Sequence, residues 1–320
     1  MNLTDLARRT AVVVLNWNGF DDTSQCLASL ARLNPAPGRV IVVDNGSTDG
    51  SAERLRAVFP WAHVVATSRN LGYAGGNNVG IRLALGEGAD YVWVLNNDTV
   101  VEPGALGALL QRMTEDPTIA MCGSTLVHSD PPGVVQALGG ASYDPWTGTA
   151  RGVGAGLRLG SLPSPSDVEP RLDYVAGASV LVTRRFLESA GLMDEGYFLF
   201  FEELDWAARL PPGTRLGWAA SSVVHHKDGA TIGRNRDDGQ PMEKRLRYEY
   251  FMLRSRFRYT AKHDPWRLPV VVAITLATLA LRLARGQPLR AWVLARALVA
   301  VATGLGVPPS ARELMRSARA

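Results

Sequence analysis

The sequence predicts an α/β fold in which helices flank a mostly parallel central sheet and a helical region follows at the C-terminal end. In the first third of the chain, short apolar runs alternate four times with helical patterns, as is typical of parallel strands joined by right-handed crossovers. Each run ends in a polar loop. The 320-residue chain is 46% hydrophobic and 20% charged, which suits one large globular domain or a domain with an appendage.

The first four strands are predicted from continuous apolar runs, as expected of strands that are buried on both faces. These runs cover residues 11–15, 40–43, 64–66 and 91–95. Helical patterns follow at residues 23–33, 51–59 and up to about Leu85, and Pro103 with Gly104 opens a further helix. Later strands are predicted over residues 119–126, 174–182 and 219–224, and a short helix over 184–190 that ends at Gly191. Residues 142–170 are rich in Gly, Pro and Ser, which predicts a long loop beside the site.

Polar loops follow all four of the first strands, so we expect them at one edge of the sheet, where open α/β sheets bind ligands. Asp44, after the second strand, suits a base edge or ribose hydroxyls. In the third loop, glycines such as Gly72 allow the backbone to approach a phosphate group. The chain contains neither a G-x-G-x-x-G after the first strand nor a Walker A motif, so neither a dinucleotide fold nor a P-loop is predicted. Each of these loops, taken alone, could be an ordinary turn. Four polar loops at one edge of the sheet favour a nucleotide-binding site.

Asn96, Asn97 and Asp98 place two amides and one carboxylate at the end of the fourth strand. A hard cation such as Mg²⁺ or Mn²⁺ needs few protein carboxylates when phosphate oxygens supply its remaining ligands. The alternative is that Asn96 and Asp98 cap the following turn. His225 and His226 end a later strand-like run, and adjacent strand residues point to opposite faces, so at most one of them faces the site.

Residues 197–206 form a second stretch that is rich in candidate functional residues. Four aromatic residues within five positions are followed there by Glu202, Glu203 and Asp205. A carboxyl group beside an aromatic surface tends to have a raised pKa, which suits a general base. The alternative is a buried aromatic helix start at which the helix dipole favours acidic residues. Three acids packed after the aromatic run favour the functional interpretation.

The charge of the chain is unevenly distributed around its net value of +4. From Lys244 onward there are 15 of the 34 Lys and Arg but only 3 of the 30 Asp and Glu, which leaves about +12 there and about −8 before it. Such an asymmetry indicates that the C-terminal part meets an anionic surface. Cys26 and Cys122 are the only cysteines, which suits a reducing compartment and excludes a disulfide framework or cysteine-based zinc site. Residues 1–9 contain no apolar core, so we expect no signal peptide.

The C-terminal region combines basic residues with two apolar stretches, 268–281 and 291–307. The first has 14 residues without charge, fewer than the roughly 20 that a spanning helix needs. Basic flanks around short apolar helices fit a segment that lies in a membrane interface, and the alternative is a helical pair packed on the catalytic domain. A nucleic acid is a less suitable partner for this region, because the two segments are more apolar than a surface that binds a phosphate backbone needs to be.

Seven motifs carry a resemblance to a known family, from about Ala11 to Gly233. They are residues 13–18 (VVLNWN), 43–50 (VDNGSTDG), 70–80 (NLGYAGGNNVG), 95–99 (LNNDT), Gly177-Ala178, 201–205 (FEELD) with Arg209, and 226–231 (HKDGAT). In these motifs the chain resembles the inverting family 2 glycosyltransferases of GT-A fold, which use nucleotide-diphospho-sugars. It is most similar to bacterial rhamnosyltransferases of cell-wall and surface-polysaccharide biosynthesis.

The resemblance implies roles for individual residues. The cofactor-binding and donor-binding positions would be Asn16, Asp44, Asn45, Asn70, Gly72, Asn78 and Asn97. Asp98 would be the metal-binding carboxylate for Mg²⁺ or Mn²⁺, with His226 as a further ligand. Glu203 matches the catalytic base and Asp205 its support.

Two departures from the family pattern concern the metal and the base. Asn96 stands where the first aspartate of D-x-D is usual, and Glu203 stands where the base is usually Asp, so the base lies among Glu202, Glu203 and Asp205. A non-catalytic nucleotide-sugar sensor or scaffold would show a degraded metal triplet, but Glu203, Asp205 and His226 argue against it. A nucleotidyltransferase would need a triphosphate loop after the first strand, where the chain has Asn16-Trp17-Asn18 instead.

The resemblance also implies partners and a location. The donor would be a dTDP- or UDP-sugar, and the acceptor a glycan or polyprenyl-linked glycan. We expect a catalytic domain over residues 1–243 and a basic, apolar helical region over 244–320. The enzyme would be cytoplasmic and peripheral on the inner face of the cell membrane.

Overall fold

The computed structural model describes residues 2–227 and 242–303. The end of the motif at 226–231 and the last residues of the apolar stretch 291–307 lie outside these ranges. Within them the strands are β1 Thr10–Asn16, β2 Arg39–Asp44, β3 His63–Ala66, β4 Tyr91–Asn96, β5 Thr99–Val101, β6 Ile119–His128, β7 Val135–Leu138, β8 Gly140–Asp144, β9 Thr149–Gly152, β10 Tyr174–Val175, β11 Ser179–Thr183 and β12 Arg215–His226.

The α-helices of the described residues alternate with these strands in the first half of the chain and end the second half. They are α1 Leu3–Arg8, α2 Phe20–Leu30, α3 Ser51–Val58, α4 Gly72–Gly86, α5 Ala105–Glu115, α6 Pro165–Val168, α7 Arg184–Ala190, α8 Glu202–Ala207, α9 Met242–His263, α10 Leu268–Ala284 and α11 Pro288–Thr303.

The first four strands form the parallel half of the main sheet, in the order β3-β2-β1-β4. β1 lies parallel to both β2 and β4, and Asn16 at its end is in register with Asp44 at the end of β2. Alternate residues of β1 pack into separate apolar clusters, Val12 and Val14 into one and Ala11 and Val13 into the other. Both faces of the strand are therefore buried, as its continuous apolar run predicted.

The other half of the sheet is mixed in direction. β11 runs antiparallel to β4 and β6, while β12 runs parallel to β6 and antiparallel to β5. The sheet is thus less uniformly parallel than the alternating pattern predicted. Beyond α5, several connections lack the crossover helix that parallel neighbours require, so the chain returns in the opposite direction.

Two sequence predictions for the middle of the chain need correction. The apolar run 174–182 is two strands, β10 and β11, separated by a short segment that contains Gly177. Residues 142–170 include β9, α6 and the end of β8 rather than one long loop. A sheet of β10, β8 and β9 forms there, which short and partly polar strands do not reveal by periodicity.

The chain divides into two compact units. The first contains the main sheet and, among described residues, 2–143, 150–195 and 202–227. The second contains 144–149, 196–201 and 242–303. Within the second unit, the aromatic residues of 196–201 pack on α9, where Phe198 stacks on Phe251 at 4.9 Å between ring centroids.

The apolar stretch of the second unit is longer than the 14 uncharged residues of the sequence. Within the described residues, the helical segment Pro265–Ala284 has 20 residues, and an 18-residue window of it has a mean hydropathy of 1.7 and is only 11% buried. By length and composition alone it is sufficient to cross a membrane.

Candidate active site

The ends of β1 and β2 form a buried polar corner around Asp44. The Asn16 amide nitrogen donates to one oxygen of Asp44 at 2.7 Å, and the Ser47 backbone N–H donates to the other at 3.0 Å. The Thr23 hydroxyl donates to the Asn16 amide oxygen at 2.7 Å. This network fixes the Asp44 carboxylate, whose remaining lone pairs suit the N–H or O–H donors of a nucleoside.

Asn45 and Asn70 shape the loop between β3 and α4. The Asn45 amide nitrogen donates to Asn70 and to the Gly72 carbonyl at 2.9 Å. The Asn70 amide oxygen accepts from the Gly72 backbone N–H at 2.8 Å, and Gly72 begins α4 with φ of +78°. That left-handed backbone favours glycine. Both amides therefore hold the loop that opens the helix.

Asn78 holds α4 against the segment that follows α7. Its amide nitrogen donates to the Met193 carbonyl at 2.9 Å and to a Glu195 oxygen at 3.0 Å, and its oxygen accepts from the Met193 backbone N–H at 3.1 Å. All the donor hydrogens of this buried amide are thus engaged within the protein. Asn78 therefore joins α4 to the segment that contains Met193 and Glu195.

Asp98, which follows β4, is buried and faces His226 from the end of β12. Its carboxylate oxygen lies 3.3 Å from the His226 Nε2 atom. Burial acts to raise the pKa of Asp98, but the hydrogen bond and the charge of His226 outweigh it and hold the pKa below its ordinary value. The neighbouring Asn97 amide donates to Thr23 at 3.0 Å, while His225 lies 3.0 Å from Glu102. As predicted, only one of the two histidines lies against Asp98.

Gln136 of β7 fixes the orientation of the His226 ring. The Gln136 amide nitrogen donates to the His226 carbonyl at 3.2 Å, and its oxygen lies 2.9 Å from the His226 Nδ1 atom. An acceptor at Nδ1 places one proton there, so the neutral ring has a lone pair on Nε2, and the hydrogen bond to Asp98 forms only when a second proton occupies Nε2. A lone pair 3.3 Å from the Asp98 carboxylate is repulsive unless a proton or a cation lies between them. The pair is therefore a site for positive charge.

Glu203, in the first turn of α8, lies against the backbone of Gly177. The Gly177 backbone hydrogen-bonds the Glu203 carboxylate, which is half-buried, and the loss of solvation raises the pKa of Glu203 above its ordinary value. A Cβ atom at position 177 would lie only 2.1 Å from a Glu203 oxygen. The Tyr73 hydroxyl donates to the Gly177 carbonyl at 2.7 Å, so α4, the β10–β11 connection and α8 meet at this point.

The other two acids of α8 have different surroundings. Asp205 is fully buried and accepts from the Arg209 guanidinium at 3.1 Å, and Arg209 also donates to the Leu192 carbonyl at 2.8 Å. Glu202 is 2% exposed. Asp205 therefore anchors α8, and Glu203 is the member of the trio with the most exposed side chain.

Tyr73 shows that these acids share one region of the first unit. Its pKa is raised well above the ordinary value, first by burial and then by the negative charges of Glu203, Glu202 and Asp98. The negative charges of the candidate base, Glu203, and of the candidate metal ligand, Asp98, therefore both raise the pKa of the Tyr73 hydroxyl.

Comparison with known proteins relates the chain to one family of enzymes. Residues 11–143 match the profile of Glycosyl transferase family 2. The N-acetylglucosaminyl-diphospho-decaprenol L-rhamnosyltransferase of Mycobacterium tuberculosis is 29% identical, over 80% of this chain and 85% of that protein. Residues 11–143 thus carry a family 2 glycosyltransferase domain.

Two solved structures share the fold of this glycosyltransferase. GalNAc-T7, solved with UDP, GalNAc and Mn²⁺, aligns with 76% of this chain and 48% of its own, at a TM-score of 0.55 and 15% identity. The chain thus spans about half the length of that structure. The mannosyltransferase PcManGT of Pyrobaculum calidifontis, solved with GDP-Man and Mn²⁺, aligns with 97% of this chain and 79% of its own, at a TM-score of 0.52 and 17% identity. At these identities the likeness concerns the fold alone, and it confirms the predicted GT-A type.

The side chains at this site offer only some of the ligands that a divalent cation needs. Across residues 2–227 and 242–303, no three His, Cys, Asp or Glu side chains form a group that would ligate a metal by themselves. Asp98 and His226 could supply one oxygen and one nitrogen ligand, and Asn96 stands where the first aspartate of the D-x-D pattern was expected. The two fit a cation whose other ligands come from a diphosphate.

Three residues of the glycosyltransferase site had no role assigned from the sequence: Gln136, Tyr73 and Gly177. Gln136 lies in a strand 90 positions before His226, and no motif marks it. Tyr73 and Gly177 lie within two of the seven motifs. Only the hydrogen bond of 2.7 Å from the Tyr73 hydroxyl to the Gly177 carbonyl reveals a role for them. A glycine between two apolar runs was the one available signal for a close approach.

Proposed function

We propose that this glycosyltransferase transfers L-rhamnose from a dTDP- or UDP-linked donor to a hydroxyl of a polyprenyl-diphosphate-linked glycan, with inversion at the anomeric carbon. The sugar and the acceptor class are those for which the mycobacterial relative is named. That relative matches most of both chains, which favours a common reaction over a common fold alone.

The observation that carries the proposal is the placement of Glu203. Its half-buried carboxylate rests on Gly177, and its raised pKa suits a group that removes a proton from an acceptor hydroxyl near neutral pH. Asp205 is bound to Arg209 and Glu202 is almost inaccessible, so neither reaches a substrate as readily. Glu203 is the base, and Asp205 holds its helix.

On the donor side, Asp44 with Asn16 receives the nucleoside, and the loop built by Asn45 and Asn70 receives the diphosphate. Asp98 and His226 would hold Mg²⁺ or Mn²⁺, and the cation would neutralise the charge that develops on the leaving diphosphate. The acceptor oxygen, deprotonated by Glu203, attacks the anomeric carbon from the face opposite the diphosphate. A single displacement inverts the configuration.

The organisation of the chain fits a lipid-linked acceptor. We propose that residues 1–243 are the catalytic domain and that the basic, apolar region 244–320 brings it to the inner face of the cell membrane. An enzyme of this location meets nucleotide-sugars in the cytoplasm and its acceptor at the bilayer surface.

A thermal-shift screen with dTDP, UDP and GDP, each with and without Mn²⁺, tests the donor site first. A ligand that binds only the folded state stabilises it by about 2.7 kcal/mol at a hundredfold excess over its Kd. Metal-dependent stabilisation by one nucleotide supports the site and names the donor class. If none of the three shifts the transition with or without Mn²⁺, the proposed donor site is wrong.

A transfer assay then tests the reaction. The protein is incubated with the nucleotide-rhamnose that the screen selects and a synthetic N-acetylglucosaminyl-diphospho-prenol, and the anomeric configuration of the product is read by NMR. An inverted rhamnosyl product supports the proposal. Retention of configuration contradicts the single displacement, and transfer of a different sugar from a mixed donor set contradicts the rhamnosyl assignment.

A further inference from the structure

Trp146 and Trp266 form an exposed aromatic pair in the second unit, and they have no part in the transfer chemistry. Their ring centroids are 5.3 Å apart at an interplanar angle of 75°, and their side chains are 47% and 60% exposed. The Arg267 guanidinium lies 5.0 Å from one ring and 4.5 Å from the other. We call Trp146, Trp266 and Arg267 the indole cluster.

The indole cluster lies at the start of a helix with an exposed apolar surface. α10 begins at Leu268, directly after Arg267, and only its residues Val271 and Thr275 are buried. Leu268 and Leu279 are partly buried, and six of its large apolar side chains are exposed: Val270, Val272, Ile274, Leu276, Leu281 and Leu283. This outer side of α10 has no charge before Arg282. An apolar patch of this extent marks an interaction site.

Buried ion pairs fix which side of α10 faces outward. The Glu249 carboxylate of α9 accepts from Arg282 of α10 at 3.0 Å and from Arg290 of α11 at 2.8 Å. Because Glu249 is 8% exposed, this triad holds the three helices together from the inside. The face that contains Leu276 and Leu281 consequently remains directed away from the other helices.

The charge of the region selects the partner. Residues 242–303 contain 12 Lys and Arg against 3 Asp and Glu, and Arg267 and Arg285 bracket α10. Arg267 is paired in part with Asp264 at 2.9 Å, but the net charge stays strongly positive. Tryptophans beside basic residues at the end of an apolar helix are the arrangement that binds a bilayer interface with anionic headgroups.

We propose that the outer side of α10 and the indole cluster form an interfacial anchor that binds anionic bilayers. The apolar side chains enter the boundary between headgroups and acyl chains, the two indoles lie at headgroup depth, and the basic residues meet lipid phosphates. α10 lies along the interface and does not cross it, because its inner side is joined through Arg282 to the highly charged α9. This inference specifies the membrane contact of the proposed function but is independent of its chemistry.

Flotation of the full-length protein with vesicles tests the anchor without any donor or acceptor. Vesicles of phosphatidylcholine alone are compared with vesicles that also contain phosphatidylglycerol. We expect binding to the anionic vesicles, weakening as salt is added, and quenching of tryptophan fluorescence by brominated lipid. Absence of binding, or equal binding to neutral vesicles, overturns the proposal. Protein that resists extraction by alkaline carbonate contradicts an interfacial helix and indicates a spanning one.

Substitutions locate the surface. Trp146→Ala with Trp266→Ala, and separately Leu276→Gln with Leu281→Gln, should each weaken binding at least about tenfold, since each change removes apolar area that would enter the bilayer. Trp61→Ala and Leu157→Gln are matched controls, because Trp61 is 48% and Leu157 is 39% exposed in the first unit. All of these side chains are exposed, so thermal unfolding should be unchanged. If both test pairs bind like the controls, the anchor is elsewhere.

Discussion

Replacement of Gly177 by alanine should disable the base without unfolding the protein. The new Cβ atom would lie 2.1 Å from the Glu203 carboxylate oxygen, whereas ordinary contacts begin at 3.4 Å. The carboxylate must therefore retreat by about 1.3 Å. Gly177 has no left-handed φ, so alanine introduces no backbone strain. Only the flexible end of one side chain has to move.

The expected loss follows from that displacement. A misplacement of about 1 Å at a reacting group costs on the order of a hundredfold in rate, which corresponds to about 2.7 kcal/mol of transition-state stabilisation. We expect kcat to fall by that factor while the KM for the donor stays near its original value. The free energy of unfolding should change by less than about 1 kcal/mol, as is usual for Gly→Ala at a permitted φ.

Steady-state kinetics with the lipid-linked acceptor, together with urea unfolding, measure both quantities. Gly104→Ala is the matched control, because its Cβ atom would have no neighbour within 4 Å. A double-mutant cycle with Glu203→Gln isolates the cause: if Gly177→Ala acts only through Glu203, it adds no further loss in the Gln background. Unchanged turnover of Gly177→Ala would refute the assignment of Glu203 as a positioned base.

Four further predictions concern three residues of the first unit: Glu203, Gln136 and Glu169. Glu203→Gln should lower kcat by about 10²–10⁴-fold with nucleotide binding retained in the thermal-shift assay; an equal loss of both would contradict its role. The same variant should melt higher than the original protein at neutral pH. Burial raises the folded pKa of Glu203, so its contribution to stability is present below the unfolded pKa and is lost as pH rises through the folded one; below pH 4, about the ordinary carboxyl pKa, the two melting temperatures should converge. Gln136→Leu should raise the Mn²⁺ concentration needed for half-maximal rate by about 10–100-fold, with the rate restored at saturating metal; an unchanged requirement would show that Gln136 does not orient His226. Glu169→Ala should lower the free energy of unfolding by about 3–5 kcal/mol in urea, because the buried Glu169 accepts from Arg112 at 2.8 Å. The exposed Glu188→Ala serves as its control, and equal effects of the two would refute the argument.

Much of the fold and part of the site could be predicted from the sequence, because these features depend on local pattern. The buried strand β1 follows from one unbroken apolar run, and Asp44 follows from a polar residue at the end of the next. Parallel neighbours bring such positions to one edge whatever the details of packing. The acidic run after the aromatic residues likewise marked the start of α8.

The tertiary structure decided which of the marked residues meet and how each is held. Asp98 and His226 are adjacent only because β12 pairs with β5, and the distinction between Glu203 and Asp205 depends on Gly177 beside one and Arg209 beside the other. Gln136 reaches His226 through side-chain geometry across strands. These contacts join residues far apart in the chain, and their distances and burial are set by packing, which no local periodicity encodes.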